Sequence, residues 1–529
     1  MFDLLIAGGS VVDGTGTRPA FAADVGIEGK EIAAIGDLSG SDATRVIDAA
    51  GLVVAPGFID THAHSEGALL VDPQHENGLR QGITTEMLGP DGISYAPLDR
   101  EGYRTFRSYK AGLFGWPPED LDMSSIGAFR GNYHRRTAIN VVACAPHGVI
   151  RIATVGYGDV ALRGEALERA RRLVRECIEQ GARAFSTGLS YFPQAWADTE
   201  ELVELSRVAA EYGVPYHVHI RTHKRERAFG GGGIPEAMEV GRRSGAAVHI
   251  EHYRTGPRNA GRVDELVADV DRAKAEGVDV TLEAYPYAHG AGTAHLLLPE
   301  WVLEAGPEGI AENLEDPAKR ERIVREVEEF RASRETAGDV WTWMSTQKNK
   351  WLEGMNFEDA ARARGTSVGE MVVQVVLEER LACGRMQAPL PSAAVTRQVE
   401  KDFMELLARD DYMIGSDAIP LDGMVHPRAW GTFPKAIGRL RRRHGYALEQ
   451  VVQRATDNPA RRFGLTKRGR VEAGYFADLV VFDAARMCDL ATFEDPRTPP
   501  AGIPYVVVNG QVAVDSERCT GVLAGEAIP

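Results

Sequence analysis

The feature that most constrains the fold of this 529-residue chain is a regular alternation of short apolar runs and helical segments between about Val53 and Leu465. The runs with the length and composition of strands are Gly57–Asp60, Thr84–Leu88, Asn140–Cys144, Ala184–Ser186, Tyr216–Ile220, Ala247–Ile250, Asp279–Ala284 and Tyr412–Gly415. Strands that alternate with helices form a parallel sheet, because each helix crosses back over the sheet before the next strand begins. Eight such units predict an α/β fold, a (β/α)8 TIM-like barrel.

One segment interrupts this alternation. It runs from Leu296 to about Val340, is long, charged and helical in pattern, and stands between the seventh and eighth predicted strands. The segment could be a lid over the mouth of the barrel, residues 296–340, or an additional pair of packing helices. Both interpretations remain open at the level of the sequence.

The two ends of the chain differ from its middle, because both consist of β-rich runs separated by turn residues. The runs are Phe2–Ala7, Val11–Asp13, Ala23–Glu28, Ile32–Gly36 and Thr44–Asp48 at one end, and Ala477–Asp483 and Tyr505–Val514 at the other. The termini of a barrel lie near each other on its surface, so we expect residues 1–55 and 466–529 to form one small β-sandwich domain. Residues 56–465 would then form the barrel. Two separate β modules are the alternative.

Charge and cysteine content exclude several classes of function. With 60 basic and 76 acidic side chains, the formal charge is −16, and such a surface repels the phosphates of nucleic acids. No apolar run approaches the roughly 18 residues of a membrane helix, and the N-terminus lacks a basic signal-peptide region. The five cysteines are scattered, odd in number and form no CxxC pair, which argues against a disulfide scaffold or a zinc finger. We expect a cytoplasmic protein without nucleic-acid or membrane partners, although the β domain offers an edge for a homo-oligomer.

The strongest local signal for chemistry is the segment PGFIDTHAH, in which His62 and His64 follow an apolar strand. Side chains two apart on a strand point to the same side, and the carboxyl ends of barrel strands form the active-site face. Two neighbouring imidazoles at that position are typical zinc ligands. The segment therefore predicts a metal site at the mouth of the barrel.

Two later strands also carry paired histidines. YHVHIR holds His217 and His219, and AVHIEHYR holds His249 and His252. In each pair, one histidine could bind a metal and the other could pack or support a ligand. Successive histidine-bearing strands downstream of the first pair favour a shared metal centre.

These segments together resemble a known family. The early β segment, PGFIDTHAH and the late GRVEAGYFADLVVFD are similar to the amidohydrolase superfamily, so the resemblance implies a barrel of the amidohydrolase type. More narrowly, the chain resembles the D-aminoacylases, the N-acyl-D-amino-acid deacylases. The matching segments are GITTEMLGPDGISYAP, GLSYFPQAWADTEEL, YHVHIR, HIEHYR, EAYPY, IGSD and HPRAWGTFPKAIGR.

The resemblance implies roles for individual residues. It selects His219 and His252 as metal ligands, and it makes Asp417, at the end of the IGSD strand, the group that carries the proton during catalysis. The family usually has a cysteine ligand after the second strand, where this chain has Asp91. A carboxylate can also bind or bridge metals, with Glu86 or no bridge at all as the rival.

The resemblance also implies a metal cofactor, with one or two Zn²⁺ ions held by His62, His64, Asp91, His219 and His252. A carboxylate is a harder ligand than a thiolate, so Mn²⁺, Co²⁺ or Fe²⁺ could replace zinc. The carboxylated lysine that bridges metals in other amidohydrolases has no candidate, because residues 181–191 contain no lysine.

Substrate contacts follow from the same resemblance. Tyr191, Arg254 and Tyr285 match positions that hold the α-carboxylate of the substrate, and Arg254 stands where the family often has lysine. The implied activity is hydrolysis of the amide bond of a small-molecule N-acyl-D-amino acid. The alternatives are an amidohydrolase that opens a cyclic amide or cleaves a D-residue-containing dipeptide, and a catalytically decayed binding protein.

Overall fold

The computed structural model describes residues 1–333, 339–387 and 392–529. Its central element is a barrel of eight parallel strands, each paired with its neighbours in chain order. These barrel strands, first to eighth, are Phe58–Asp60, Ile83–Leu88, Asn140–Pro146, Ala182–Gly188, Tyr216–His219, Val248–Ile250, Val280–Ala284 and Tyr412–Ile414. The barrel closes through a parallel bridge between Ala63 and Ala418, directly after the first and eighth strands. The predicted TIM-like barrel is therefore confirmed.

Helices cover the outside of the barrel. The helix Gly164–Glu179, for example, buries Ala170, Val174 and Cys177 on one face, which is the spacing expected of a helix packed on a sheet. The α-helices are Glu66–Val71, Glu76–Leu79, Arg100–Tyr109, Ala111–Phe114, Ile126–Tyr133, His147–Val155, Gly164–Glu179, Thr199–Glu211, Ile234–Ser244, Val263–Ala275, Glu300–Leu303, Gly306–Glu315, Pro317–Ala332, Phe357–Arg364, Val368–Glu378, Ala393–Leu407, Arg428–Phe433, Arg441–His444, Leu448–Arg454 and Asp457–Arg462.

The two ends of the chain share a second sheet of nine strands. Leu479–Phe482 runs antiparallel to Val53–Pro56, which joins the late strands to the early ones. The strands are Phe2–Val11, Phe21–Glu28, Glu31–Gly36, Ala43–Asp48, Val53–Pro56, Leu479–Phe482, Tyr505–Val508, Gln511–Asp515 and Arg518–Cys519. We call this the terminal sheet. The sandwich form and the domain boundaries at 55/56 and 465/466 stay predictions.

The segment between the seventh and eighth barrel strands is larger than the sequence indicates. Besides helices, it contains a three-stranded antiparallel sheet, formed by Ala291–Thr293, Gly384–Gln387 and Trp341–Met344. The predicted limits of 296–340 are therefore too narrow, because strands on both sides of that segment pair with each other. Residues 334–338 of the segment lie outside the described residues. Its role as a lid stays a prediction.

A short strand near the C-terminus, Ala527–Ile528, pairs in parallel with the start of the third barrel strand, which places the last residues of the chain against the barrel. Among the helices that the structure describes, none is both long and apolar enough to cross a membrane.

Candidate functional site

Backbone hydrogen bonds connect the segments that follow the first and eighth barrel strands, and these segments carry His62, His64 and Asp417. The backbone N–H of Asp417 donates to the carbonyl of His62 at 2.7 Å, and the N–H of His64 donates to the carbonyl of Ala418 at 2.9 Å. This closure brings the residues after two strands that are far apart in sequence to one edge of the barrel mouth.

One group of potential ligand atoms surrounds Asp91. Its Oδ1 lies 3.1 Å from Nδ1 of His219 and 3.8 Å from Nε2 of His252, and the two imidazole nitrogens are 3.0 Å apart. Asp91 Oδ1 is sealed from solvent, and no described residue offers it a well-aligned hydrogen-bond donor. A buried carboxylate oxygen in this state, next to two imidazoles, fits a metal ligand.

A second group lies on the other side of the same carboxylate. Nε2 of His64 is 3.4 Å from Nε2 of His62 and 3.3 Å from Oδ1 of Asp417, and it is 3.4 Å from Oδ2 of Asp91. The two oxygens of Asp91 thus face different groups of potential ligand atoms. Imidazole nitrogen and carboxylate oxygen together form a donor set that suits divalent transition metals.

Glu283 explains how two of these histidines are held. Its Oε1 lies 3.0 Å from Nδ1 of His62 and accepts the backbone N–H of His252 at 2.7 Å. A carboxylate on one imidazole nitrogen leaves the other nitrogen free to face a metal, as in many metal sites. Burial raises the pKa of Glu283 to about 7. The residue therefore orients both histidines from behind.

The turn that carries Asp91 is also fixed from behind. The N–H of Asp91 donates to Glu251 at 2.9 Å, and the side chain of Gln194 donates to the carbonyl of Asp91 at 3.0 Å. Glu251 is buried, and it belongs to a further group of potential ligand atoms with His62, Asp91 and His252.

Three of the site residues have left-handed backbone conformations. The φ angles are 59° at Asp91, 35° at His252 and 52° at Asp417. Residues other than glycine rarely adopt such angles, which cost about 1–3 kcal/mol each and cluster at functional sites. The surrounding structure therefore holds all three side chains at a cost in stability.

The charges of the site favour ionised carboxylates. Burial raises the pKa of Asp91, but the interactions with His219 together with the hydrogen bonds of His252 and His64 hold that pKa well below its usual value. Burial also raises the pKa of Asp417, and the charge of Arg428 with the hydrogen bond of His64 lowers it overall. For His64, burial lowers the pKa, but Asp417 and Asp91 raise it to about 10. Both aspartates are therefore anions over the neutral pH range.

We call the side chains of His62, His64, Asp91, His219 and His252 the ligand cluster. Beside it lies a group of arginines and tyrosines, which we call the arginine–tyrosine pocket. The Tyr285 ring is placed between the guanidinium of Arg254, at 4.5 Å, and that of Arg428, at 4.7 Å. Arg428 also forms an ion pair with Oδ2 of Asp417 at 2.8 Å, which joins the pocket to the cluster. The Tyr191 ring lies 4.9 Å from the His219 ring. The structure thus brings the three predicted substrate residues to the same side of the mouth.

Sequence reasoning missed two members of this pocket. Arg428 belongs to the HPRAWGTF segment, which gave a family signal but no individual role. Arg385 lies on a strand of the inserted sheet, near Tyr191, Tyr285 and Arg428. Burial lowers its pKa, and the carboxylate of Asp339 acts against this shift. No described residue forms an ion pair with Arg385, although the charge of Asp339 acts on it. Nothing local in the sequence could have revealed it, since it is a hundred residues from Tyr285.

Three further residues considered from the sequence are Glu86, His217 and His249. Glu86, the rival bridge, forms a 2.7 Å contact with Nε2 of His75 and does not face the ligand cluster. His217 lies 3.4 Å from Glu251, and Nδ1 of His249 is 2.8 Å from the Thr281 hydroxyl. Both histidines are fully buried, and a ring nitrogen of His217 lies within 4.8 Å of ligand atoms of His62 and Glu283.

Comparisons with known proteins agree with this geometry. The Amidohydrolase family pattern matches residues 53–278 and again residues 320–514. A D-aminoacylase of Alcaligenes xylosoxydans xylosoxydans is 34% identical, and the alignment covers 100% of this chain and 97% of that protein. An N-acyl-D-glutamate deacylase of the same organism is 36% identical over 96% of this chain and 93% of that protein.

Solved structures give the same relationship. An N-acyl-D-glutamate deacylase from Bordetella bronchiseptica, in complex with zinc and a phosphonate that mimics the tetrahedral intermediate, is 30% identical, with a TM-score of 0.81 and coverage of 100% of this chain and 99% of that one. An L-hydantoinase from Arthrobacter aurescens is 16% identical over 100% of both chains, with a TM-score of 0.56, and is similar in fold alone. Full-length identity above 30% to curated members, on a barrel with this ligand cluster, shows that the chain belongs to the D-aminoacylase family of amidohydrolases.

Proposed function

We propose that this chain is a metal-dependent hydrolase that cleaves the amide bond of N-acyl-D-amino acids, giving a carboxylate and a free D-amino acid. The observation that carries the proposal is the position of Asp91, whose two oxygens face two groups of ligand atoms, 3.1 Å from His219 and 3.4 Å from His64. Asp417 and the arginine–tyrosine pocket lie beside them. The activities of the related deacylases support the same substrate class.

The residues assigned to the metals follow from the two groups. Asp91, His219 and His252 would hold one ion, and His62 and His64, with the second oxygen of Asp91, would hold another. Zn²⁺ suits nitrogen and oxygen ligands, and the zinc in the related deacylase structure supports it. Mn²⁺, Co²⁺ and Fe²⁺ remain competitors, because the set contains no thiolate. When bound, a divalent ion lowers the pKa of water and polarises a carbonyl.

Asp417 carries the proton in this proposal. One oxygen pairs with Arg428, and the other points to His64 at 3.3 Å, on the side where water would attack the acyl carbon. As an anion, Asp417 accepts the proton of that water as the carbon–oxygen bond forms. It then delivers the proton to the amide nitrogen as the carbon–nitrogen bond breaks.

The arginine–tyrosine pocket would hold the α-carboxylate. Guanidinium groups bind carboxylates with two parallel hydrogen bonds, and Arg254 lies against the Tyr285 ring in the same pocket. Tyr191 stands between this pocket and His219. With the carboxylate fixed here and the acyl carbonyl fixed at the ligand cluster, two positions remain for the α-hydrogen and the side chain. A third contact that admits the side chain to only one of these positions would select one enantiomer.

The nearer rival is hydrolysis of a cyclic amide, since a hydantoinase shares the fold. The fourth barrel strand, Ala182–Gly188, contains no lysine that could be carboxylated to bridge two metals. The separate α-carboxylate pocket also favours a linear substrate. A cytoplasmic location belongs to the same proposal, supported by five free cysteines.

Metal analysis combined with a chiral substrate panel tests the proposal. The panel contains N-acetyl-D-amino acids, their L enantiomers, D-residue-containing dipeptides, and hydantoins and dihydropyrimidines, and each is tested after loading with Zn²⁺, Mn²⁺, Co²⁺ or Fe²⁺. We expect hydrolysis of the N-acetyl-D-amino acids and loss of activity with a chelator. Preference for a cyclic amide would overturn the assigned substrate. A chain that binds no metal and hydrolyses nothing would be a binding protein.

A further inference from the structure

A serine hydroxyl contacts the imidazole of His219 on the side away from the ligand cluster. Nδ1 of His219 faces Asp91 and His252, at 3.1 and 3.0 Å. The other ring nitrogen, Nε2, lies 3.0 Å from Oγ of Ser190. Ser190 stands two residues after the fourth barrel strand, and His219 is the last residue of the fifth. The two nitrogens of one ring are therefore divided between the ligand cluster and a residue of the neighbouring loop.

The Ser190 hydroxyl belongs to a chain of hydrogen bonds. The Thr222 hydroxyl donates to Ser190 Oγ at 2.6 Å, and Ser190 Oγ donates to the carbonyl of Ile220 at 3.3 Å. A serine hydroxyl has one hydrogen and two lone pairs. Its hydrogen is directed to Ile220 and Thr222 occupies one lone pair, so the remaining lone pair accepts a hydrogen from Nε2 of His219. The chain therefore places the hydrogen of the neutral imidazole on Nε2.

This tautomer is the one that can bind a metal in the ligand cluster. A neutral imidazole carries hydrogen on one nitrogen alone, so a hydrogen on Nε2 leaves a lone pair on Nδ1. Nδ1 is the atom that faces Asp91 and His252. The opposite tautomer would direct an N–H at Asp91 and satisfy that carboxylate without an ion. Ser190 therefore favours the metal-binding form of His219 over a competing form.

The loop that carries Ser190 also fixes the orientation of the ring. The backbone N–H of Leu189 donates to the carbonyl of His219 at 3.0 Å, and the ring of Tyr191 lies 4.9 Å from the imidazole. Three successive residues thus contact the backbone, Nε2 and the ring of one histidine. Partners of this kind on the second nitrogen are common around metal ligands, and they set both the tautomer and the direction of the lone pair.

His62 shows the same principle with a different partner. Its Nδ1 lies 3.0 Å from the carboxylate of Glu283, which leaves Nε2 for the ligand cluster. A carboxylate partner also makes an imidazole more basic, whereas a neutral hydroxyl mainly orients it. Loss of Ser190 should therefore weaken the ion that His219 holds, and it should leave the contacts of His62 unchanged.

We propose that Ser190 is a positioning residue for the metal centre. Its hydroxyl, supported by Thr222, holds His219 in the tautomer and orientation that bind the ion shared with Asp91 and His252. The inference rests on the proposed function, because it requires His219 to be a metal ligand. Ser190 acts through His219 and makes no contact with the substrate in this assignment.

Ser190→Ala tests the assignment through metal affinity. Metal-free protein competes for Zn²⁺ with a chelating dye, and we expect the affinity of one ion to fall about 10–100-fold. Ser190→Thr keeps a hydroxyl and should recover most of the affinity. The visible absorption of the Co²⁺-loaded protein reports the geometry of the ligands, so it should change in Ser190→Ala and return toward the original in Ser190→Thr. At saturating metal, KM should change little, because Tyr191 is intact.

Ser206→Ala is a matched control. Ser206 is fully buried on the helix Thr199–Glu211, and its hydroxyl has no hydrogen-bond partner among the described residues, so zinc affinity should not change. If Ser190→Ala does not fold, Thr222→Val is the test, because Thr222 is exposed and its loss removes one hydrogen bond of the chain.

The outcomes separate this inference from the proposed function. Zinc affinity equal to that of the original chain, in Ser190→Ala or in its substitute Thr222→Val, would overturn the role of Ser190. An equal loss of affinity in Ser206→Ala would overturn it as well, since the effect would then be one of packing. If the original chain binds no metal, the proposed function itself fails.

Discussion

The barrel mouth and the terminal sheet are stabilised in opposite ways. The terminal sheet packs on an apolar cluster whose central members are Leu4, Ile6, Val11, Val25, Ile27, Ile32, Val54, Leu479, Val481 and Val507. At the mouth, imidazoles and carboxylates are buried or partly buried, and three of the residues have left-handed backbone angles. The terminal sheet is stabilised by the removal of apolar surface from water. At the mouth, buried charges and strained backbone angles lower the free energy of unfolding.

This difference implies that function and stability can be changed separately in the two regions. Apolar burial depends little on pH, so a change in the terminal sheet should alter stability and leave the chemistry intact. Changes at the mouth should alter activity strongly and stability in a pH-dependent way. The following substitutions test this division.

The largest effect is expected from Asp417→Ala. General acid–base groups contribute about 10²–10⁴-fold to the rate, so kcat should fall by that order. His62, His64, Asp91, His219 and His252 are unchanged, so the metal content should be retained. Steady-state kinetics and metal analysis on the same sample measure both quantities. A kcat within a few fold of the original would remove Asp417 from the proton transfer.

Leu479→Ala addresses the terminal sheet. Leu479 is fully buried, pairs with Pro56 and Val507 in the sheet, and its truncation should cost about 2–5 kcal/mol of unfolding free energy. The kcat of the folded fraction should not change. Urea denaturation and kinetics at low temperature separate the two. A parallel loss of kcat would mean that the sheet and the mouth are coupled.

Arg428→Met tests the ion pair between the pocket and Asp417. An adjacent arginine lowers a carboxyl pKa by roughly 1–3 units, so its removal should raise the pKa of Asp417. The acid limb of the pH profile of kcat should move to higher pH by a similar amount. Arg428→Lys should move it less. An unshifted limb, with only KM increased, would restrict Arg428 to substrate binding.

The smallest effect concerns Glu66, which is fully buried and accepts the N–H of Gly89 at 2.8 Å. Burial raises its pKa to about 8, above its value in the unfolded chain. The stability that the protonated group contributes is therefore present at low pH and is lost as pH rises through about 8. Glu66→Gln should reduce the fall in unfolding free energy between pH 6 and 9, an effect on the order of 2 kcal/mol.

Urea denaturation at both pH values measures this difference. Leu479→Ala is the comparison from the terminal sheet, and it should leave the slope with pH unchanged. If the unfolding free energy falls equally with pH in Glu66→Gln and in the original protein, groups other than Glu66 cause the pH dependence of stability at the mouth.

The sequence predicted the barrel because its periodic pattern is local, with each strand and helix recognisable in ten to twenty residues. His62 and His64 were accessible for the same reason, since both follow one apolar run. Within YHVHIR the pattern could not separate His217 from His219, because the choice depends on where the strand ends relative to the mouth. In the structure the strand ends at His219, whose Nδ1 lies 3.1 Å from Asp91, whereas His217 is fully buried beside Glu251.

Other features depend on contacts between distant parts of the chain. Arg385 reaches the pocket only because its strand pairs with the two other strands of the inserted sheet, Ala291–Thr293 and Trp341–Met344, which are far from it in the sequence. Such positions are set by tertiary structure, which a pattern of hydrophobic residues does not encode locally.

The left-handed angles at Asp91, His252 and Asp417 have a consequence for attempts to engineer this enzyme. Glycine or asparagine would adopt those angles more easily, so a procedure that optimises thermal stability alone would favour replacing all three. Each replacement would relieve backbone strain but remove a carboxylate or imidazole of the site, and loss of Asp417 would also leave the buried guanidinium of Arg428 without its ion pair. Variants at these three positions should therefore be tested for activity as well as thermal stability. Variants in the terminal sheet can be selected by thermal stability alone.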